Sequence, residues 1–290
     1  MYDSILLPIE DGTDQSRVMH HVSEIAHWSG ATVQLLYVAN TNRDSVTVVG
    51  RDVVDALEQE GKRIVEEAGK TLETLGVDYD TDVVQGNPAP TIVEYADQYD
   101  YDLIAMPTHG RQGLARSFYG SVTEKVVRLS DRPVLAARMD PDETLVFPYE
   151  RILLPTDGSE ASKRAARYGL DLAVALDATV DILSVVDDSS LGPDIRSMIS
   201  SGESERGATE AIDAIVSEAN DRGVSNVNEH IEHGAPAAEI RSFVEENDVH
   251  AVVLGTTGKS GVDRILLGSV AEEMVRTAPV PVLTISRPQA

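Results

Sequence analysis

Ser4-Ile5-Leu6-Leu7-Pro8 returns 147 residues later as Arg151-Ile152-Leu153-Leu154-Pro155, and this recurrence decides the architecture. Further landmarks follow at an offset of 148, so one inserted residue accounts for the change. Gln85-Gly86-Asn87-Pro88 returns as His233-Gly234-Ala235-Pro236, and Gly110 returns as Gly258. Gly120-Ser121 and Arg132-Pro133-Val134-Leu135 return as Gly268-Ser269 and Val280-Pro281-Val282-Leu283. Solenoid units recur every ~20–50 residues, so a period this long means two whole domains. The acidic, proline-containing stretch beginning Met139-Asp140-Pro141-Asp142 reads as a linker over 139–148, between a domain at 1–138 and one at 149–290.

Each copy alternates short apolar runs with longer amphipathic ones. Ile5–Ile9, Thr32–Ala39, Val77–Val84, Leu103–Met106 and Val134–Ala137 are short and rich in β-branched residues, which predicts strands. Gln15–Ser29, Arg51–Leu75, Pro90–Gln98 and Ser121–Leu129 carry helical spacing, and the second copy repeats the series. Hydrophobic strands alternating with helices predict an α/β fold, with a parallel sheet covered on both faces in each domain. Ligands of such sheets sit beyond the carboxyl ends of the strands.

Composition narrows the function. The chain has 49 acidic and 24 basic residues, a net charge of −25, 42% hydrophobic residues and no cysteine. A surface this negative repels nucleic acid and anionic membranes, because both are held by Lys and Arg. The missing cysteines exclude disulfides, thiolate metal sites and a cysteine nucleophile. No apolar run reaches the ~18 residues of a membrane helix, and no basic, apolar leader is visible, so the expected address is the cytoplasm. The few lysines and dispersed acids resemble the surface of a protein from a salt-loving organism.

Three carboxyl-end positions in the second copy can carry chemistry. Asp157, in Pro155-Thr156-Asp157-Gly158-Ser159, can accept hydrogen bonds from a base or sugar, or can simply serve the turn. Val185, near the end of the second strand, can flank a planar ring or be ordinary core. The run Gly255-Thr256-Thr257-Gly258-Lys259 lets the backbone approach a ligand and adds a cation, and Gly268-Ser269 opens a helix whose dipole favours an anion. Ser269-Val270-Ala271-Glu272 and Ser121-Val122-Thr123-Glu124 also fit capping boxes, so each serine can instead be a cap.

The spacing of Gly255, Gly258, Gly268 and Ser269 resembles the nucleotide-binding signature of the universal stress protein family. The opening Ile152-Leu153-Leu154-Pro155-Thr156-Asp157-Gly158-Ser159 and the closing Val280-Pro281-Val282-Leu283 match it too. The resemblance covers nearly the whole chain as a tandem pair. It implies two doubly wound domains, each with a five-stranded parallel sheet and about four helices. It implies ATP as ligand, with Asp157 and Val185 at the adenosine end and Gly255, Gly258, Gly268 and Ser269 around the ribose and phosphates, Lys259 lying within the motif. It also implies domains paired through their last strands, as an internal pseudo-dimer or a homodimer.

The first copy departs from the pattern. Pro107 stands where the signature has its first glycine, and proline has no N–H to donate. Glu10 stands opposite Asp157, with Asp11 as a substitute after a one-residue shift. Val38, Gly110, Gly120 and Ser121 keep the pattern, so a second site is expected there in weakened form.

No general base and no phosphate loop ending in Gly-Lys-Ser/Thr after a first strand accompanies the motif, so no catalytic residues are assigned. The expectation is a nucleotide-binding stress-response module whose protein partners the sequence does not name. The alternative is a slow ATPase or an adenylyl- or phosphoryl-transfer enzyme, with Mg²⁺ bridging the phosphates. His20-His21 and His230/His233 lack metal-ligand spacing and are read as non-metal residues. The polar connection Asp187–Glu203 reads as a loop.

Overall fold

The computed structural model describes residues 1–11, 15–40, 51–108, 121–138, 144–187, 201–256 and 267–286, with backbone alone for 51–57, 121 and 201–202. The chain divides into two compact units, Met1–Pro141 and Asp142–Ala290.

Unit 1 runs β1 (Ser4–Ile9), α1 (Ser16–Ser29), β2 (Thr32–Ala39), α2 (Arg51–Leu75), β3 (Tyr79–Gln85), α3 (Pro88–Gln98), β4 (Leu103–Thr108), α4 (Ser121–Leu129) and β5 (Val134–Arg138). Its strands lie in the order β3-β2-β1-β4-β5, all parallel. Unit 2 runs β6 (Arg151–Pro155), α5 (Glu160–Leu176), β7 (Thr179–Val186), α6 (Ser201–Arg222), β8 (Val227–His233), α7 (Pro236–Glu246), β9 (Ala251–Gly255), α8 (Ser269–Thr277) and β10 (Val282–Ile285). Its order is β8-β7-β6-β9-β10, again parallel. Each unit is the doubly wound α/β sheet that the strand–helix alternation predicts, with five strands and four helices among the described residues.

Burial explains the pattern. Consecutive residues Ile5, Leu6 and Leu7 in β1, and Ile152, Leu153 and Leu154 in β6, are all fully buried, as a strand with helices on both faces requires. The edge strands differ: β8 is largely exposed and β3 partly so, with Glu229 and Glu232 in one and Asp80 and the half-buried Asp82 in the other. Charged side chains on an edge discourage pairing with another chain. Proline opens α3 and α7, where its missing N–H costs nothing. In both units the strand order reverses beside the first strand, between β1 and β4 and between β6 and β9, which opens a crevice at the carboxyl edge.

The units differ inside. Asp181 of β7 is 0% exposed, and its carboxylate accepts from Arg151 Nε (2.5 Å) and Nη2 (3.0 Å), Asn228 Nδ2 (3.1 Å) and His230 Nε2 (2.9 Å). The repeat puts neutral Gln34 at this position in unit 1, where the Tyr101 hydroxyl donates to its Oε1 at 3.2 Å. Unit 1 instead holds a buried histidine. His21 of α1 is 0% exposed, and burial, then the neighbouring His20, pushes its pKa down to about 4. Glu24, 3.8 Å from Nδ1, does not offset that burial.

His21 therefore makes unit 1 acid-sensitive. Unfolded, the imidazole takes a proton near pH 6.5; folded, it resists until about pH 4. Between those values the unfolded chain binds more protons, so stability falls as pH falls, by up to ~3 kcal/mol. Denaturant titration of the parent and of His21→Leu at pH 7 and pH 4.5 should show this loss in the parent alone. An identical pH dependence in the two chains overturns the assignment.

Candidate functional site

In unit 2 the site is built where β6 leaves the sheet. Thr156 continues the ladder, its N–H donating to the Leu183 carbonyl at 2.8 Å. The chain then turns: Gly158 N–H donates to Thr156 Oγ1 (3.1 Å), and Ser159 N–H donates to Asp157 Oδ1 (3.0 Å). Ser159 caps α5 by accepting the Ser162 N–H at 3.2 Å, and Thr156 and Ser162 join hydroxyls at 3.2 Å. Asp157 thus does organise the turn, while its side chain stays exposed at the mouth of the crevice. Sequence reasoning passed over the Thr156–Ser162 pair, since two hydroxyls six residues apart carry no signal until a strand and a helix fold together.

Gly255 ends β9 and sits against the first turn of α5. A Cβ there would lie 2.7 Å from both the carbonyl carbon and oxygen of Ala161. Glycine at 255 is therefore required by helix–strand packing, in addition to any ligand. The chain returns to this corner at α8, where Gly268 N–H donates to the Thr256 carbonyl at 2.7 Å. Gly255 and Gly268 are in this way drawn together at the exit of β9, and Gly255 packs on the helix that the Asp157 turn leads into. Val185 is half-buried two residues beyond Leu183, which pairs with Pro155, so the register sets it level with Asp157 on the adjacent strand. Gly258 and Lys259 lie outside the described residues.

The α8 terminus differs from the capping-box expectation. Gly268 is the N-cap, and Ser269 is the first helical residue, with an exposed side chain. Glu272 N–H bonds back to the Gly268 carbonyl at 2.9 Å, the ordinary helical bond, so Ser269 does not hold the capping position. The amide of Gly268 is engaged with Thr256, which leaves the first-turn amides of Ser269, Val270 and Ala271 to present the helix's positive end. Gly268 has φ −62° and ψ 141°, a conformation open to any residue. Nothing in its backbone dihedrals asks for glycine.

Unit 1 keeps the scaffold with other groups. Glu10 follows β1, exposed, and its carbonyl accepts from Gln15 Nε2 at 3.2 Å. Asp11 lies 3.9 Å from Arg63 Nη2, and burial, then Asp11 and Glu60, raise the pKa of Tyr37. Val38 is half-buried in β2. Pro107 lies in β4, and its carbonyl accepts from Thr123 Oγ1 at 3.4 Å, tying α4 to the strand end. Ser121 opens α4, and Gly110 and Gly120 lie outside the described residues. Where α5 starts at Glu160, α1 starts at Ser16, three residues late in repeat register. The late start accompanies the change from Gly255 to Pro107 at the matching repeat position.

Among the described residues no group of three His, Cys, Asp or Glu side chains can hold a metal, and no helix is long and apolar enough to cross a membrane.

Comparison with known proteins bears on this arrangement. The model of the universal stress protein family matches residues 1–138 and 148–286. A universal stress protein of Methanocaldococcus jannaschii is 39% identical over 145 residues, 49% of this chain and 84% of that protein. The crystal structure of a universal stress protein from Archaeoglobus fulgidus aligns over 99% of this chain and 100% of its own, with TM-score 0.75 and 23% identity. A functionally unknown protein of Pseudomonas aeruginosa aligns over 99% of this chain and 93% of its own, with TM-score 0.64 and 19% identity.

Proposed function

The chain belongs to the universal stress protein family, and from that premise we propose that it binds ATP at the carboxyl edge of unit 2 and acts as a nucleotide-responsive stress module. One observation supports the reading above the others: a glycine that its own dihedrals do not require stands at the mouth of a helix tied to the β9 exit. A bare backbone there lets phosphates come close to the α8 amides, where the helix dipole favours them. In this reading Asp157 and Val185 hold the adenosine end. Gly255, Gly258, Gly268 and Ser269 line the ribose and phosphates, and Lys259 adds a positive charge. Mg²⁺, carried in with ATP, neutralises part of the phosphate charge.

Unit 1 is a second, different site, formed around Glu10, Val38, Gly110, Gly120 and Ser121 without a donor at Pro107. The proposal extends to domains bounded at 1–138 and 149–290 and to their pairing as an internal pseudo-dimer or through a homodimer. It extends also to a cytoplasmic, salt-adapted setting for so acidic a surface.

Calorimetric titration of the full chain with Mg-ATP tests the reading. Gly268→Val puts a branched side chain where phosphates approach, and affinity at unit 2 should fall by about 30- to 100-fold, equivalent to ~2–3 kcal/mol. Hydrogen exchange in β6–β10 should stay as in the parent. Unchanged affinity removes the phosphate assignment.

A further inference from the structure

Two polar atoms at the carboxyl edge of unit 1 are closed off from water and bonded to nothing: Gln15 Oε1 and Thr108 Oγ1. Each residue is 6% exposed. A buried oxygen in that state has given up its bonds to water without replacement, which folded chains seldom tolerate without a reason.

The two atoms come from different elements, each tied to β1 or to the residue that follows it. Gln15 is the N-cap of α1, anchored by its Nε2 to the carbonyl of Glu10 just after β1. Thr108 is the last residue of β4, and β4 pairs with β1. Their junction is the point where the strand order of unit 1 reverses, the place where sheets of this kind take their ligands. In repeat register, unit 2 has Thr156 and Ser162 where unit 1 has Ile9 and Gln15, and there the two hydroxyls satisfy one another. Unit 1 is thus no eroded copy in this corner; it offers different groups.

Resting on the nucleotide reading above, we infer that Gln15 and Thr108 are ligand-contact residues of unit 1, and that they take the vicinal diol of a ribose. Gln15 Oε1 only accepts, so its partner must donate. Ionised phosphate has no proton to give. The adenine amino group also donates, through two N–H bonds, and competition by the dideoxy compound separates it from the ribose. A ribose offers two adjacent hydroxyls: one donates to Gln15 Oε1, and the other exchanges a bond with Thr108 Oγ1, which can donate or accept. Side chains from β4 and α1 then do what the missing N–H of Pro107 cannot.

Thr108→Val keeps the side-chain shape and removes only a hydroxyl that bonds nothing in the free chain. Its unfolding temperature should equal or exceed the parent's. Gln15→Leu serves as a second variant, so the inference does not hang on one substitution. Photolabelling of the full chain with 8-azido-ATP, with labelled peptides mapped by mass spectrometry, reads the two units separately. At unit 1, half-saturation should weaken about tenfold or more in each variant. In the parent, 2′,3′-dideoxy-ATP should compete about tenfold less well than ATP at unit 1. Unaltered unit 1 labelling in both variants, or equal competition by the dideoxy compound, overturns the inference and leaves the nucleotide reading standing. Labelling confined to unit 2 overturns it as well. Labelling of neither unit overturns both.

Discussion

Asp181→Ala should cost unit 2 about 2–3 kcal/mol, below the ~3–5 kcal/mol of a fully buried ion pair broken from one side, because the Arg151 side chain keeps 29% of its surface in water. The substitution leaves the Arg151 guanidinium, the Asn228 amide and the His230 ring pointing at a void from which their shared acceptor has gone. Burial alone would raise the Asp181 pKa, but the bonds from Arg151, His230 and Asn228 outweigh it and hold the carboxyl below its ordinary range. Its folded value is therefore depressed. The resulting stability is present above the unfolded value of ~3.9 and is lost as pH falls through the lower folded value.

Unit 1 suggests the control. The double substitution Arg151→Ser with Asp181→Gln copies Ser4 and Gln34, and replaces a desolvated charge pair by a neutral amide. It should recover much of what Asp181→Ala loses, because removing both charges avoids stranding either one. Since the chain has two units, a single melting curve does not isolate the effect. Hydrogen exchange read by mass spectrometry does: protection should fall in β6, β7 and β8 and hold in unit 1. Full protection of unit 2 in Asp181→Ala would show that the cluster contributes little.

Gly255→Val should remove both the first turn of α5 and nucleotide binding at unit 2. A Cβ 2.7 Å from the Ala161 carbonyl atoms meets backbone, which yields only if the helix moves. Forcing the turn outward separates Ser162 from Thr156 and Ser159 and carries the Asp157 turn with it. Overpacking of this kind costs typically ~1–3 kcal/mol, and the lost capping bonds add about 1 kcal/mol. Calorimetry should find no ATP binding at unit 2, with faster exchange at Ser159–Lys163. A variant with parental stability and affinity would mean that the first turn of α5 is dispensable to the site.

The doubled α/β architecture was legible from residue order alone. Runs such as Ile5-Leu6-Leu7 and Ile152-Leu153-Leu154 announce two-sided burial locally, and the offset between them is visible without any contact. The crevice was legible too, because Gly268-Ser269 and the β9 glycine fall at strand and helix ends that periodicity had already marked. What residue order did not reveal were the polar pairings. Asp181 finds Arg151 and His230 across 30 and 49 residues, and Gly255 is fixed by Ala161 from a helix some 90 residues earlier. The orphaned oxygens of Gln15 and Thr108 emerge only when α1 and β4 close on β1 and exclude water from both. Apolar burial follows a periodicity written into the chain. A buried polar group, in contrast, is defined by the one partner it meets or lacks, and only tertiary packing decides which.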